Sequence, residues 1–290
     1  LQAELARLQS AVASVCAVWA AEWTALLHRR RYVRPVVVRT LPLATVPDHL
    51  AALPDSRLCV GSDGVAFVSA ETGQQADTGQ VVHSDCCFGV VAHDDSVFAS
   101  LDDCVVKLAR DGTELARSAD MDPYGLAIDG DRLLVATSDG VLGLDVDSLE
   151  QRCSIGVGSF GDGSPVDCAM CADELFVADF RKLGELSVFG RDGTPRRTIP
   201  GSFYRPCRLV SHDGRLYLLE GDSEPTCDDE KTWAGRRLII LEPDGETRQI
   251  VRLPDARRIR GICFGGEELF LGDFGESDDL SYKAYVLRFC

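Results

Sequence analysis

Six times along this chain, three apolar residues stand together in a short run bounded by polar turns. The runs are Leu58-Cys59-Val60, Val97-Phe98-Ala99, Leu133-Leu134-Val135, Leu175-Phe176-Val177, Leu216-Tyr217-Leu218 and Leu269-Phe270-Leu271. Successive runs begin about 36 to 53 residues apart, the span of one four-stranded sheet plus insertions in a radially repeated β structure. A unit of this size cannot bury its apolar strand alone and must stack against the next copy. The repeat therefore constrains the fold before any single motif does.

A second segment precedes the run in each unit. Phe88-Gly89-Val90-Val91-Ala92, Tyr124-Gly125-Leu126-Ala127-Ile128 and Arg260-Gly261-Ile262-Cys263-Phe264 show it most clearly. Small and apolar residues suit an innermost strand crowded around an axis, where glycine permits close backbone approach. Turns such as Asp129-Gly130-Asp131 and His212-Asp213-Gly214 then lead into the apolar run. Asp111-Gly112, Asp192-Gly193 and Asp244-Gly245 follow three of the runs, with Asp147-Ser148 and Thr72-Gly73 in the same place in two others. Asp-Gly between strand-like segments marks a hairpin, because its positive φ angles match the strand twist. Each unit thus reads as four antiparallel strands. In the third they are Leu126–Ile128, Leu133–Ala136, Val141–Asp145 and Gln151–Ile155.

The sixth unit ends at Phe289-Cys290, where its third strand should end. A β-branched run, Arg34-Pro35-Val36-Val37-Val38-Arg39-Thr40, precedes the first unit and can supply the missing outer strand. Pro35 is tolerated on an outermost strand, and the pairing would leave no open edge. The expected fold is all-β: a six-bladed β-propeller over residues 32–290, closed by strand 34–40, with an N-terminal amphipathic α-helix over residues 1–31.

Leu175-Phe176-Val177-Ala178-Asp179 through Leu186-Ser187-Val188-Phe189, followed by Asp192-Gly193, resembles the blade of NHL-repeat propellers. So does Gly272-Asp273 through Val286-Leu287-Arg288-Phe289. The resemblance runs across residues 32–290 and implies the fold more than a function. A helix running into such a propeller is similar to the C-terminal half of tripartite-motif NHL proteins, which are ubiquitin ligases. Their RING and B-box zinc modules are not in this chain, and Leu1 rather than Met at position 1 suggests a fragment or a processed product.

In the helical segment, Leu1, Leu5, Leu8, Val12, Val15 and Trp19 follow the spacing of a coiled-coil seam until Glu22 breaks it. Fewer than three heptads leave two readings open: self-association through residues 1–27, or one helix docked on the propeller. The apolar stretch Ala11–Leu27 is too short and interrupted for a membrane span.

The net charge is -16, and the helical segment carries four Arg against two acids, which leaves about -18 on the rest. So acidic a body repels phosphate backbones and anionic membranes, and makes nucleic acid the less favoured partner. The 12 cysteines are scattered, with Cys59, Cys168, Cys171, Cys207 and Cys263 inside expected strands. Buried free thiols in a reducing compartment are the plainer account. With no Asn in the chain, no N-glycosylation site exists, and no secretory pattern is visible. These features favour a cytoplasmic address. Cys168 and Cys171 form the closest zinc-like spacing, but strand alternation separates them and no second pair matches.

Ligands of propellers meet the residues near the starts of the innermost strands. Aligning the units puts His49, Phe88, Tyr124, Asp167, Cys207 and Arg260 there. One carboxylate among them is too few for a hard-metal site. Gluconolactonase-like propellers use a Glu, Asn and Asp cluster, of which only Asp167 matches. His49, Asp167 and Cys207 lack any local sign of an activated thiol. No catalytic residue, metal site or cofactor is therefore assigned. Phe88, Tyr124 and Arg260 suit a binding face, since aromatics and Arg dominate interface hot spots. Insertions at Gly221–Arg236, with Trp233, and at Asp273–Ser281, with Glu276, Asp278 and Asp279, join second and third strands of adjacent units. The expected face comprises Tyr124, Phe88, Arg260, His49, Asp167, Asp179, Trp233 and Asp273. Its expected partner is another protein, as in the substrate-recognition part of a ubiquitin-ligase-like protein. The alternatives are a metal-dependent propeller hydrolase and an RNA-binding NHL propeller.

Overall fold

A computed structural model describes residues 35–74, 85–160, 163–180, 185–201, 203–221, 235–275 and 282–289. The helix and coiled coil expected over residues 1–31, the loop with Trp233, and the acids Glu276, Asp278 and Asp279 lie outside the described residues. Residues 37–288 form one compact unit.

The described chain is all-β, built as six sheets. The first described strand, β1 (Pro35–Leu43), belongs to the last sheet. Blade 1 holds β2 (His49–Ala52), β3 (Arg57–Gly61) and β4 (Val65–Ser69). Blade 2 holds β5 (Gly89–His93), β6 (Ser96–Ser100), β7 (Val105–Ala109) and β8 (Glu114–Arg117). Blade 3 holds β9 (Pro123–Asp129), β10 (Arg132–Thr137), β11 (Gly140–Asp145) and β12 (Gln151–Ile155). Blade 4 holds β13 (Pro165–Cys171), β14 (Glu174–Asp179), β15 (Glu185–Gly190) and β16 (Pro195–Pro200). Blade 5 holds β17 (Pro206–His212), β18 (Arg215–Glu220), β19 (Arg237–Leu241) and β20 (Thr247–Arg252). Blade 6 holds β21 (Ile259–Gly265), β22 (Glu268–Asp273) and β23 (Tyr282–Phe289), with β1 hydrogen-bonded outside β23.

The innermost strands β2, β5, β9, β13, β17 and β21 each touch the next, and β21 returns to β2, so six blades close a ring. No helix among the described residues is long and apolar enough to cross a membrane.

The apolar runs are the second strands, and their position explains why three apolar residues stand consecutively. Each lies in a blade with a neighbour packed on both faces, so both sides of the pleat are buried. In β14, Leu175 and Val177 face the cluster shared with blade 3, while Phe176 faces the one shared with blade 5. Alternation likewise sends Cys168 to the first cluster and Cys171 to the second, so the two thiols never share a side of β13. Burial pushes the Cys168 thiol far above its ordinary value, as expected of an inert thiol in apolar surroundings.

The Asp-Gly hairpins form between third and fourth strands. Gly112, Gly193 and Gly245 adopt φ of 88°, 84° and 96°, a region open to glycine at no steric cost. The preceding Asp111, Asp192 and Asp244 accept the N–H of Thr113, Thr194 and Glu246 at 2.9, 3.1 and 2.9 Å, local Asx turns that fix each bend.

Closure is held by a clasp as well as a ladder. Arg39 of β1 donates to both Glu268 oxygens at 2.8 and 2.7 Å, and Arg288 of β23 donates to Oε1 at 2.9 Å. One carboxylate at the start of β22 thus ties together three strands, including the two that are far apart in sequence. A bidentate, half-sheltered pair of this kind exceeds an ordinary surface ion pair in worth. Glu268→Ala is expected to lower the unfolding free energy by about 1–2 kcal/mol in urea titration, with Glu71→Ala, an exposed acid nearby, close to unchanged.

Candidate functional site

The starts of the inner strands carry an irregularity that the sequence does not announce. In blades 3 to 6 the ladder between first and second strands shifts by one residue just after it begins, whereas blades 1 and 2 pair without a shift. Such a bulge sets two residues against one and re-aims their side chains. The bulged pairs are Val166-Asp167, Cys207-Arg208 and Arg260-Gly261 in blades 4 to 6, with Tyr124-Gly125 at the matching place in blade 3.

The second member of three of these pairs lines a central channel of about 310 Å³: Gly125, Asp167 and Arg208, joined by His49 from blade 1. The six residues aligned from the sequence are therefore not equivalent. Asp167 is a second member, while Tyr124, Cys207 and Arg260 are first members. Arg208 rather than Cys207 lines the channel, and sequence alignment missed it. Its one signal was adjacency to Cys207, which a bulge-aware alignment would have used.

Asp167 is buried and accepts the N–H of Cys168 and of Leu209, each at 2.9 Å. A Cβ at Gly125 would collide with its carboxylate, so the glycine makes room for the acid. Arg208 reaches from blade 5 to His49 of blade 1, with Nη2 2.9 Å from the ring Nε2, and its Nη1 donates to the Cys207 carbonyl at 2.7 Å. Guanidinium can only donate, so His49 accepts through Nε2 and carries its proton on Nδ1. Burial first, then the charges of Arg208 and Arg260, hold His49 far below the usual imidazole range and keep it neutral. The Cys207 thiol donates to the Leu219 carbonyl at 3.5 Å. His49 and Cys207 are thus each engaged elsewhere, not by one another. Asp167 is the one carboxylate lining the channel, and no group of three or more metal-ligating side chains exists among the described residues.

Tyr124, Phe88 and Arg260 stand at the same end of the inner strands but outside the channel wall, each half-buried. Phe88 and Tyr124 meet edge to face with ring centroids 6.0 Å apart. Arg260 pairs with Asp48 at 3.1 Å and lies over the Phe274 ring at 5.2 Å, where Arg258 also stacks at 5.5 Å. Between blades 4 and 5, Arg205 lies over Phe180 and Tyr204 at 5.2 and 5.4 Å. Its φ of 45° is uncommon for a residue with a side chain. Nothing local in the sequence marks Arg205, Phe180, Tyr204 and Phe274, while Arg258 stands in the basic pair Arg257-Arg258, which the sequence alone reads as a solvated strand end.

Asp179 and Asp273 have another task. Both are fully buried at the last residue of a second strand, the place of Glu220 in blade 5. Asp179 accepts the N–H of Ser164 at 2.8 Å, Glu220 that of Tyr204 at 2.6 Å, and Asp273 those of Arg257 and Arg258 at 3.0 and 2.8 Å. Each carboxylate braces the loop that enters the inner strand of its own blade, behind the face and not on it. Glu220 also holds a buried pair with Arg237, whose Nη2 donates to Oε1 at 2.7 Å.

No protein-family model and no curated protein matches the chain. Solved structures do resemble it. The WD40 β-propeller domain of Doa1 superposes with a TM-score of 0.59 at 12% identity, over 82% of this chain and 77% of that one. Selenomethionine-substituted virginiamycin B lyase from Staphylococcus aureus gives 0.57 at 11%, over 83% and 80%. A protein of unknown function from Bacteroides caccae gives 0.56 at 16%, over 77% and 84%. The chain shares the propeller fold with all three. At such identities the likeness carries the fold alone.

Two measurements follow. Burial raises the Asp167 carboxyl to about 6, against the opposing pull of Arg208 and the two N–H groups. Unfolded Asp titrates near ~3.9, so between these values the folded chain holds a proton that the unfolded chain has released. The stability this group contributes is full below that lower value and is lost as pH rises through about 6. Asp167→Asn should abolish that slope, the wild type losing up to about 3 kcal/mol relative to the variant between the acid limit and neutral pH in urea titrations. Separately, Arg237→Met should cost about 3 kcal/mol, because it strands Glu220 in the interior.

Proposed function

We propose that the chain is a protein-interaction propeller that reads a partner protein with the face at the starts of its inner strands. The carrying observation is the composition and support of that face. Aromatics and guanidinium groups stack in pairs there: Phe88 with Tyr124, Arg260 with Phe274, Arg205 with Phe180. Those residue types dominate hot spots, and stacking on rings orders each guanidinium before contact, which lowers the entropy cost of binding. Asp179 and Asp273 belong to this reading as braces beneath the face, and His49 and Asp167 as its channel. Trp233, which lies outside the described residues, is included in the reading as an expected contact residue of the same face.

The finer reading is an NHL-like module, the substrate-recognition part of a ubiquitin-ligase-like protein, with residues 1–31 a helical appendage able to self-associate. It rests on the blade pattern around Leu175–Phe189 and on the amphipathic spacing of Leu1 to Trp19. A net charge of -16 favours protein over nucleic acid as the partner. All nine described cysteines are free, which suits a reducing compartment such as the cytoplasm.

The test is affinity capture with the whole chain and with a Tyr124→Ala, Arg260→Ala double variant. The variant should melt within a few degrees of the wild type, because both side chains are half-exposed. It should lose at least ~10-fold in partner recovery. Undiminished capture by the folded variant would remove this face from the reading.

A further inference from the structure

Opposite charges that face one narrow channel ordinarily meet. In this channel Asp167 and Arg208 do not. They come from equivalent bulge positions in adjacent blades and line the same 310 Å³ cavity. Asp167 feels the Arg208 charge, yet no hydrogen bond or ion pair joins them. Asp167 takes one backbone N–H on each carboxylate oxygen, which leaves acceptor capacity on both. Arg208 uses two of its donors, on His49 and on the Cys207 carbonyl. Its buried Nε has no partner, and no carboxylate lies within ion-pair distance of it among the described residues.

The surroundings keep the two charges available. His49 is neutral and accepts from Arg208, so it neither competes for an anion nor repels a cation. Arg208 is the one Lys or Arg side chain lining the cavity. Gly125 holds space beside Asp167 where any side chain would intrude. Apolar side chains such as Leu50, Val90, Leu126 and Ile262 supply most of the other lining residues, with Ser211 and His212 the polar ones. A cavity near the lower end of the usual ligand range admits only a small molecule.

We propose that this channel binds a small zwitterion of the amino-acid class, with its carboxylate on Arg208, its ammonium on Asp167 and its substituent against the apolar wall. Guanidinium recognises carboxylate through parallel charge-assisted bonds. A single ligand carrying both charges satisfies both groups at once, whereas a simple anion would leave Asp167 facing a like charge.

The experiment is calorimetric titration of the whole chain with the standard amino acids, with acetate and with ethylammonium, supported by thermal shift. At least one amino acid should bind saturably in the millimolar range or tighter. Acetate and ethylammonium should each bind at least ~10-fold more weakly, since each uses half of the pair. Arg208→Gln and Asp167→Asn should each weaken amino-acid binding at least ~10-fold. Should Arg208→Gln fail to fold, Arg208→Lys keeps the charge but loses the planar fork, and is expected to bind several-fold more weakly. Absence of binding by every amino acid overturns the proposal. So does acetate binding equal to that of the best amino acid, and so does binding indifferent to Asp167→Asn.

Discussion

The pairing of β1 with β23 is the constraint on which the other geometry rests. Each blade of a propeller keeps only a short outer edge, and here the outer strand of the last blade comes from the other end of the described chain. Without it β23 would present an open ladder, and the contact from β21 to β2 that closes the inner ring would lose its backing. Glu268 reinforces the join from inside the sheet by holding Arg39 and Arg288 together. The closing contact spans nearly the whole propeller in sequence, so its loop-closure entropy is recovered only when most blades are already in place.

Once the ring is closed, the face is built by burial of charge. Asp179, Glu220 and Asp273 occupy the ends of second strands, where apolar residues would fill space but could not accept an N–H. Each carboxylate satisfies backbone donors in the loop entering an inner strand, which offsets the cost of its desolvation. The loops so fixed present Tyr204 and Arg205, and then Arg258 and Arg260. A rigid framework of buried acids thus displays basic and aromatic groups on an acidic protein. The channel behind that face is a separate chemical environment, with its own unmatched acid and base.

Much of the architecture was legible beforehand. Six apolar runs, their spacing and the Asp-Gly steps translate into six sheets because a second strand buried on both faces has to be apolar at every position. The hairpin glycines sit where positive φ is required. The separation of Cys168 from Cys171 follows from the two-residue period of a strand. These features are local, or repeat locally, and so appear in the order of residues.

The candidate functional end was less legible for a definite reason. Alternation tells which residues share a side only while the count is unbroken, and a bulge inserts one residue at the place where side chains turn toward the axis. That insertion exchanged Cys207 for Arg208 on the channel wall and moved Tyr124 and Arg260 outside it. Likewise, nothing in Val177-Ala178-Asp179 or Leu271-Gly272-Asp273 distinguishes an exposed acid from a buried brace, because its amide partners lie in a loop some fifteen residues earlier. The residue order alone determined the number and stacking of the sheets through repeated burial. Only the tertiary structure decided which charges face the axis and which acids stand beneath the face, because both depend on backbone crowding and on amide partners brought close by the fold, from an adjacent blade for Asp167 and from the entry loop of the same blade for the bracing acids.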